Sequence, residues 1–455
     1  MNLADAVSAQ KAFFESGATR GLEFRLARLR ELEDALRRGF PSLAGAVYAD
    51  FKKSEFEVLE CELLPLLESV RFAAKNLKKW MKPRRVRTNF PNFPARSFAV
   101  AEPLGAALVM GAWNYPFYLS FGPAVGAMAA GCTVVLKPSE LAPTSSAAIA
   151  DLVSKTFDPR FFCVAEGGPE TGAALLDCGF DKIFFTGGGK TGRIVLGAAA
   201  GKLTPATLEL GGKSPAIVHS DCRLDVCARR VVWAKFLNAG QTCVAPDYAL
   251  VHNAVKADFL RLAKAEIEKA RYGVENGNYV QIINRAHTER LAGLIAGMNV
   301  YCGGGVDLEN RLVEPTLING ARADDPVMRE EIFGPVLPVI GYDSLEEAVG
   351  IVKSRPAPLA CYVFTSDGKV RDRIVSEIPF GGGAVNDAVM HLTNERLPFG
   401  GVGASGMGAY HGKAGFDTFS HYKGVLDKPA WFEWKFKYPP YSEKKAALLR
   451  RIFGL

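Results

Sequence analysis

The chain has 455 residues, 48% of them hydrophobic and 23% charged, with a formal charge of +7. That length exceeds one ordinary core, so two domains of a soluble globular protein are expected; the modest charge, with no Lys/Arg block interleaved with aromatics outside the C-terminal tail, reads as solubility and not as nucleic-acid binding. Nine Cys without C-x-x-C pairs or zinc-finger spacing to His exclude a metal site and point to free thiols in a reducing, cytoplasmic setting, and the start MNLADAVSAQ has neither the basic nor the apolar part of a signal peptide.

The first eighty residues are predicted to be helical, with Leu22, Leu26, Leu29 and Leu36 on one face. Next comes NFPNFPARSFAV, whose two prolines mark an extended connection. From residue 106 the rhythm becomes strand, helix, strand, with apolar runs at 106–110, 133–136, 162–165, 182–185 and 206–210. This is the alternation of a parallel, doubly wound sheet covered on both faces. The uncharged stretch 104–136 has the length of a membrane span. It is read instead as a buried β-α-β unit, because Asn114, Pro116 and Pro123 interrupt it. A second α/β set follows, with a helix over 224–238 and strands at 248–252, 336–340, 360–364 and 383–386. The basic, aromatic tail WFEWKFKYPPYSEKKAALLRRIFGL lacks the ~20 apolar residues of a span. It is expected to be solvated or packed in a dimer, with weak contact to a membrane surface as the alternative.

The stretch FFTGGGKTGR (184–193) fails as a P-loop, since the first glycine of that motif would fall at Phe184. Gly187, Gly189 and Gly192 satisfy G-x-G-x-x-G after a strand and before a helix, which is the context of a dinucleotide site. Glu209 then lies near the position of a ribose-binding acid, about 20 residues beyond the last Gly.

Three other stretches have more specific content: GAWNYPF (111–117), LELGGKSP (208–215) and NAGQTC (238–243). With KPSE (137–140), EEIFGP (330–335) and the run GGVGASGMGAYHGKAGFDTFSHYK (400–423), the chain resembles the aldehyde dehydrogenase superfamily, in its class 3 branch of fatty- and aromatic-aldehyde enzymes. The resemblance implies a Rossmann-like doubly wound cofactor domain (1–82 and 104–210), a second α/β catalytic domain (211–400), and an arm and tail (83–103 and 401–455) that oligomerise the chain, typically as a homodimer.

The chemistry such an enzyme needs is written in the residues. A free aldehyde is a poor hydride donor, whereas the thiohemiacetal formed by a thiolate has an oxyanion that can expel hydride. Cys243 is the candidate nucleophile, and Asn114 is a candidate donor to the oxyanion, with the Cys243 backbone N–H as the second by resemblance. The thioester left behind requires a general base for hydrolysis, and Glu209, flanked by leucines, is the candidate. The resemblance assigns Glu209 to catalysis and places NAD on Lys137, Glu140, Glu331 and Phe333, above the helix that Gly187 and Gly192 begin. Glu140 favours NAD, because an acid repels a 2′-phosphate, but NADP is used by some class 3 enzymes. Tyr115, Leu119, Leu237 and Thr242 flank the nucleophile, and by resemblance His391, Leu392 and Phe399 line the substrate entrance. The expected activity is NAD(P)-dependent oxidation of an aldehyde, medium- or long-chain aliphatic or aromatic, to the carboxylic acid.

Three rivals are set against it. Acylation of coenzyme A on the same fold does not need Glu209. A retired binding homologue would have lost Cys243, Glu209 or Asn114. A Cys/His hydrolase pairing Cys243 with His219 or His391 has no recognisable context in the sequence.

Overall fold

The computed structural model describes residues 2–455 and divides into two compact units, one of residues 2–80 and Pro103–His421 and one of Met81–Glu102 and Tyr422–Leu455. The first unit begins with the helices Leu3–Glu15, Leu22–Phe51 and Leu64–Trp80. On the leucine face, Leu29 and Leu36 are fully buried and Leu22 and Leu26 half-buried. Between the second and third helices lies a π-helical turn, Leu59–Leu63, which the sequence did not announce.

A six-stranded sheet follows in the spatial order Phe162–Val164, Thr133–Lys137, Ala106–Met110, Lys182–Thr186, Ala206–Glu209, Gly406–Met407. The first five are parallel. The last, antiparallel to Ala206–Glu209, closes the edge. The chain winds outward from Ala106–Met110 to one side and returns to the other with Lys182–Thr186, so those two strands form the switch point of a doubly wound sheet. Ligands of such sheets bind beyond the carboxyl ends of the strands at that point. Both GAWNYPF and the glycine run start there. The uncharged stretch is the β-α-β unit expected: strand, the helix Tyr118–Ala130, strand. Its strands are buried along their whole length, which is why it reads as one apolar run.

A seven-stranded sheet has the order Val300–Cys302, Thr316–Asn319, Val336–Tyr342, Tyr248–His252, Pro215–Val218, Ala360–Phe364, Gly382–Val385. All but the first are parallel to their neighbours. Residues 401–421 lie in this first unit, through Gly406–Met407 and the helix Gly412–Thr418, where the expected boundary had given them to the arm. Small residues explain the difference: a Cβ on Gly126 would meet the backbone of Gly415 at 3.0 Å, so the two helices that carry them touch without side chains between.

The second unit is built on a three-stranded sheet, Arg84–Val86, Arg96–Pro103 and Ser420–Asp427, and ends in the helix Glu443–Phe453, which buries none of its side chains. No helix among the described residues is long and apolar enough to cross a membrane.

Candidate active site

Cys243 follows a turn that few sequences could form. Asn238, Ala239 and Gly240 all take positive φ, 53°, 50° and 72°. Asn tolerates that region, and Gly240 is required twice over, since a Cβ there would meet the Gly334 carbonyl oxygen at 2.3 Å. The turn delivers Cys243, half-buried, into a cavity of about 150 Å³. Burial, then the neighbouring Glu331 and Glu209, push its thiol well above the ordinary cysteine range. The Tyr362 hydroxyl donates to the next carbonyl, Val244 O, at 2.5 Å and holds the loop from behind.

Glu209 ends the strand Ala206–Glu209 and lines the same cavity. It is 3% exposed, and neither carboxylate oxygen has a hydrogen-bond partner. Burial raises its pKa well above the carboxylate range. A buried, orphaned carboxyl facing a cavity is costly unless something brought to the cavity uses it.

Asn114 does not line the cavity. It lies 3% exposed beside it, its side-chain amide donating to the Gln241 carbonyl at 3.0 Å. One amide hydrogen is thereby fixed, and the geometry leaves the other unassigned.

The residues expected to hold the cofactor divide into two groups. Lys137 ends the strand Thr133–Lys137, beside Ala106–Met110; it is 5% exposed, and its ammonium donates to Glu140 at 3.0 Å and to the Pro138 carbonyl at 3.1 Å. The two expected glycines lie close against the protein's own side chains. A Cβ on Gly187 would meet the Phe185 ring at 2.6 Å, and one on Gly192 would meet Leu210 at 2.8 Å, whereas Gly188, at the N-terminus of the helix Gly189–Gly201, has open space around it. On the catalytic side Glu331 lies against Gly211, where a Cβ would be 2.0 Å from its carboxylate, and accepts from the Gly212 N–H. Burial, with Asp247 nearby, lifts the Glu331 carboxyl to about 8. Asp247 in turn pairs with Lys213 and accepts from the Ile332 N–H at 2.8 Å. Phe333, at φ 46°, meets Trp113 edge to face at 5.4 Å. The donor set fits a dinucleotide: an open helix N-terminus for an anion, and carboxylates able to accept from ribose hydroxyls.

Of the residues expected at the substrate end, Tyr115, Leu119, Leu237, Thr242, Leu392 and Phe399 line the cavity with Cys243. His391 does not: its ring is buried against Phe399 and edge-on to Tyr362, with no partner for either nitrogen, and burial lowers its pKa to about 4. His219 hydrogen-bonds Asp221 at 2.7 Å and is absent from the lining, so neither histidine is placed to serve Cys243. The sequence reading missed Trp233, Tyr410 and His411, which also line the cavity, and Glu60 and Cys61 from the π-helical turn. His411 accepts or donates to the Tyr118 hydroxyl at 3.0 Å and is held neutral by burial, with its pKa near 3. Tyr410 and His411 stand in the quoted run 400–423 and could have been marked. The π turn has no sequence signal.

Residues 1–425 match the model of the aldehyde dehydrogenase family. The chain is 44% identical to 4,4'-diaponeurosporen-aldehyde dehydrogenase of Staphylococcus aureus over 95% of each chain. It is 42% identical to the dimeric NADP-preferring aldehyde dehydrogenase of Rattus norvegicus over 97% of this chain and 99% of the relative. A solved structure, the substrate-bound state of Staphylococcus aureus AldH, superposes with a TM-score of 0.96 at 41% identity, covering 100% of both chains.

Proposed function

Because the chain belongs to the aldehyde dehydrogenase family and catalyses NAD(P)-dependent aldehyde oxidation, we propose that Cys243 is its nucleophile, Glu209 its general base and Asn114 a donor to the oxyanion. The Cys243 thiolate adds to the carbonyl carbon, and the carbonyl π pair moves to oxygen. The free Asn114 amide hydrogen and the Cys243 backbone N–H stabilise that oxyanion. Its collapse expels hydride and leaves a thioester on sulfur. NAD(P), when bound, supplies the hydride acceptor. Glu209 then takes a proton from water, the hydroxide adds to the thioester, and the thiolate leaves as the carboxylic acid forms. Lys137, Glu140, Glu331 and Phe333 would hold the cofactor, with the open N-terminus of Gly189–Gly201 toward its phosphates. We assign cofactor binding to 1–82 and 104–210 and catalysis to 211–400.

The observation that carries this reading is the meeting of a thiol and an orphaned carboxyl in one cavity walled by Tyr115, Leu119, Trp233, Leu237, Phe399 and Tyr410. Those apolar and aromatic walls favour medium- or long-chain aliphatic and aromatic aldehydes over short polar ones. Glu140 favours NAD over NADP, and the nine free thiols fit a cytoplasmic setting. The test is reduced-cofactor formation from hexanal, decanal and benzaldehyde with NAD and NADP in parallel. Turnover by the wild type without coenzyme A, and none by Cys243→Ala, is expected. A preference for short polar aldehydes would refute the substrate class, and a need for coenzyme A would refute the role of Glu209.

A further inference from the structure

The polar groups behind the Asn114 loop form a closed network that the reaction as written does not use. Lys53 and Glu62 are an ion pair with both side chains fully buried, Nζ to Oε1 at 3.2 Å. The ammonium also donates to the Asn114 carbonyl at 3.0 Å and sits 4.1 Å from the centre of the Tyr115 ring. Its three N–H bonds thus have three targets: a carboxylate, the oxyanion loop and the aromatic face next to it. The second Glu62 oxygen accepts from the Phe117 N–H at 2.8 Å and the Tyr118 N–H at 3.4 Å, where the helix Tyr118–Ala130 begins.

The same carbonyl joins the loop to the nucleophile turn. Asn114 O also accepts from Asn238 Nδ2 at 3.0 Å. Asn238 Nδ2 and Asn114 Nδ2 both donate to Gln241 O, at 3.1 and 3.0 Å. Gln241 is pinned in turn, its Oε1 accepting from the Ile283 N–H and its Nε2 donating to the Gln281 and Asn238 carbonyls. Tyr115 completes the link by hydrogen-bonding Thr242, the residue before Cys243, at 2.6 Å.

A buried ion pair is a poor device for stability, since apolar residues of the same volume do as well or better. This one fills a lone pair of the Asn114 carbonyl while Gln241 O fixes the amide plane. Main chain and side chain of Asn114 are thereby both locked, with one N–H left over. We propose that Lys53, paired with Glu62, is a positioning residue for oxyanion stabilisation: it holds the Asn114 loop in register with the Cys243 turn. The inference rests on the reading of Asn114 as a donor.

The test is a double-mutant cycle on the full chain, with kcat and KM for aldehyde measured for Lys53→Met, Asn114→Ala and both together. Because removing one partner of a buried pair can unfold the chain, Lys53→Met/Glu62→Leu is carried alongside, with its Tm. Asn114→Ala is expected to lose on the order of a hundredfold in kcat. Lys53→Met, or the paired variant at a near-normal Tm, is expected to lose roughly tenfold in kcat with little change in KM, and less than about twofold in the Asn114→Ala background. An equal loss in both backgrounds, or wild-type kcat in the paired variant, overturns the positioning role. Wild-type kcat in Asn114→Ala alone overturns the donor reading beneath it and is distinguishable from both.

Discussion

Glu209 shows how a catalytic reading of one residue leads to a stability prediction. Its carboxyl has no hydrogen-bond partner, is 3% exposed, and has its pKa raised by burial. The folded chain therefore binds a proton at Glu209 at pH values where the unfolded chain has released it. Where the folded state binds more protons, stability falls as pH rises. The penalty is absent below the ordinary carboxylate range and complete above the raised pKa. Glu209→Gln removes the charge while keeping the shape, so its Tm should exceed that of the wild type at about pH 9 and match it near pH 4, as thermal melts at both pH values would show. A structural carboxylate with its own partner would give the opposite sign. Cys243 is displaced in the same direction by burial and by the carboxyls of Glu331 and Glu209. The thiolate fraction should accordingly grow with pH, and the rate of Cys243 alkylation should climb through the alkaline range. The same variant, one neighbouring carboxyl fewer, should shift that climb to lower pH.

At the scale of elements, the nucleophile turn is the least replaceable part of the chain. Gly240 combines a φ of 72° with backbone contact to Gly334, so the motifs NAGQTC and EEIFGP meet main chain to main chain. Gly240→Ala should cost about 2–3 kcal/mol and lower kcat together with Tm, whereas Gly188→Ala, with open space around its Cβ, should leave Tm unchanged. The elements themselves were largely legible. The strands Ala106–Met110, Tyr248–His252 and Ala360–Phe364 fall on the predicted residues, because fully buried parallel strands leave unbroken apolar runs. The π-helical turn Leu59–Leu63 was not legible, since no periodicity distinguishes one extra residue in a helix. Gly406–Met407 was missed as well, because two residues that complete a sheet edge show no alternation. The site divides in the same way. Residues inside long motifs, such as Cys243, Glu209 and Thr242, were named from the sequence and meet in one cavity. Lys53 and Glu62 were not, because a lone Lys and a Glu nine residues apart in a helical, charged segment look like any solvated pair, and only packing reveals that both are buried. His391 shows the converse: its motif placed it at the entrance, and the stacking of its ring on Phe399 keeps it out of the lining.

For the whole molecule, the arm unit offers the clearest expectation. Ser420–Asp427 is an edge strand of a three-stranded sheet, exposed over most of its length, with Val425 and Leu426 open to solvent. Such an edge invites pairing, and we expect a homodimer. Light scattering should give twice the 49.1 kDa chain mass, and Val425→Asp/Leu426→Asp should return the mass to one chain. In the proposed mechanism hydride release and hydrolysis are divided between Cys243 and Glu209. Rapid mixing of Glu209→Gln with NAD and decanal tests it most directly. One equivalent of reduced cofactor per active site, followed by a stall that coenzyme A or another added thiol relieves by taking the acyl group, is the predicted result. Steady turnover of Glu209→Gln at the wild-type rate, with no burst, would contradict it.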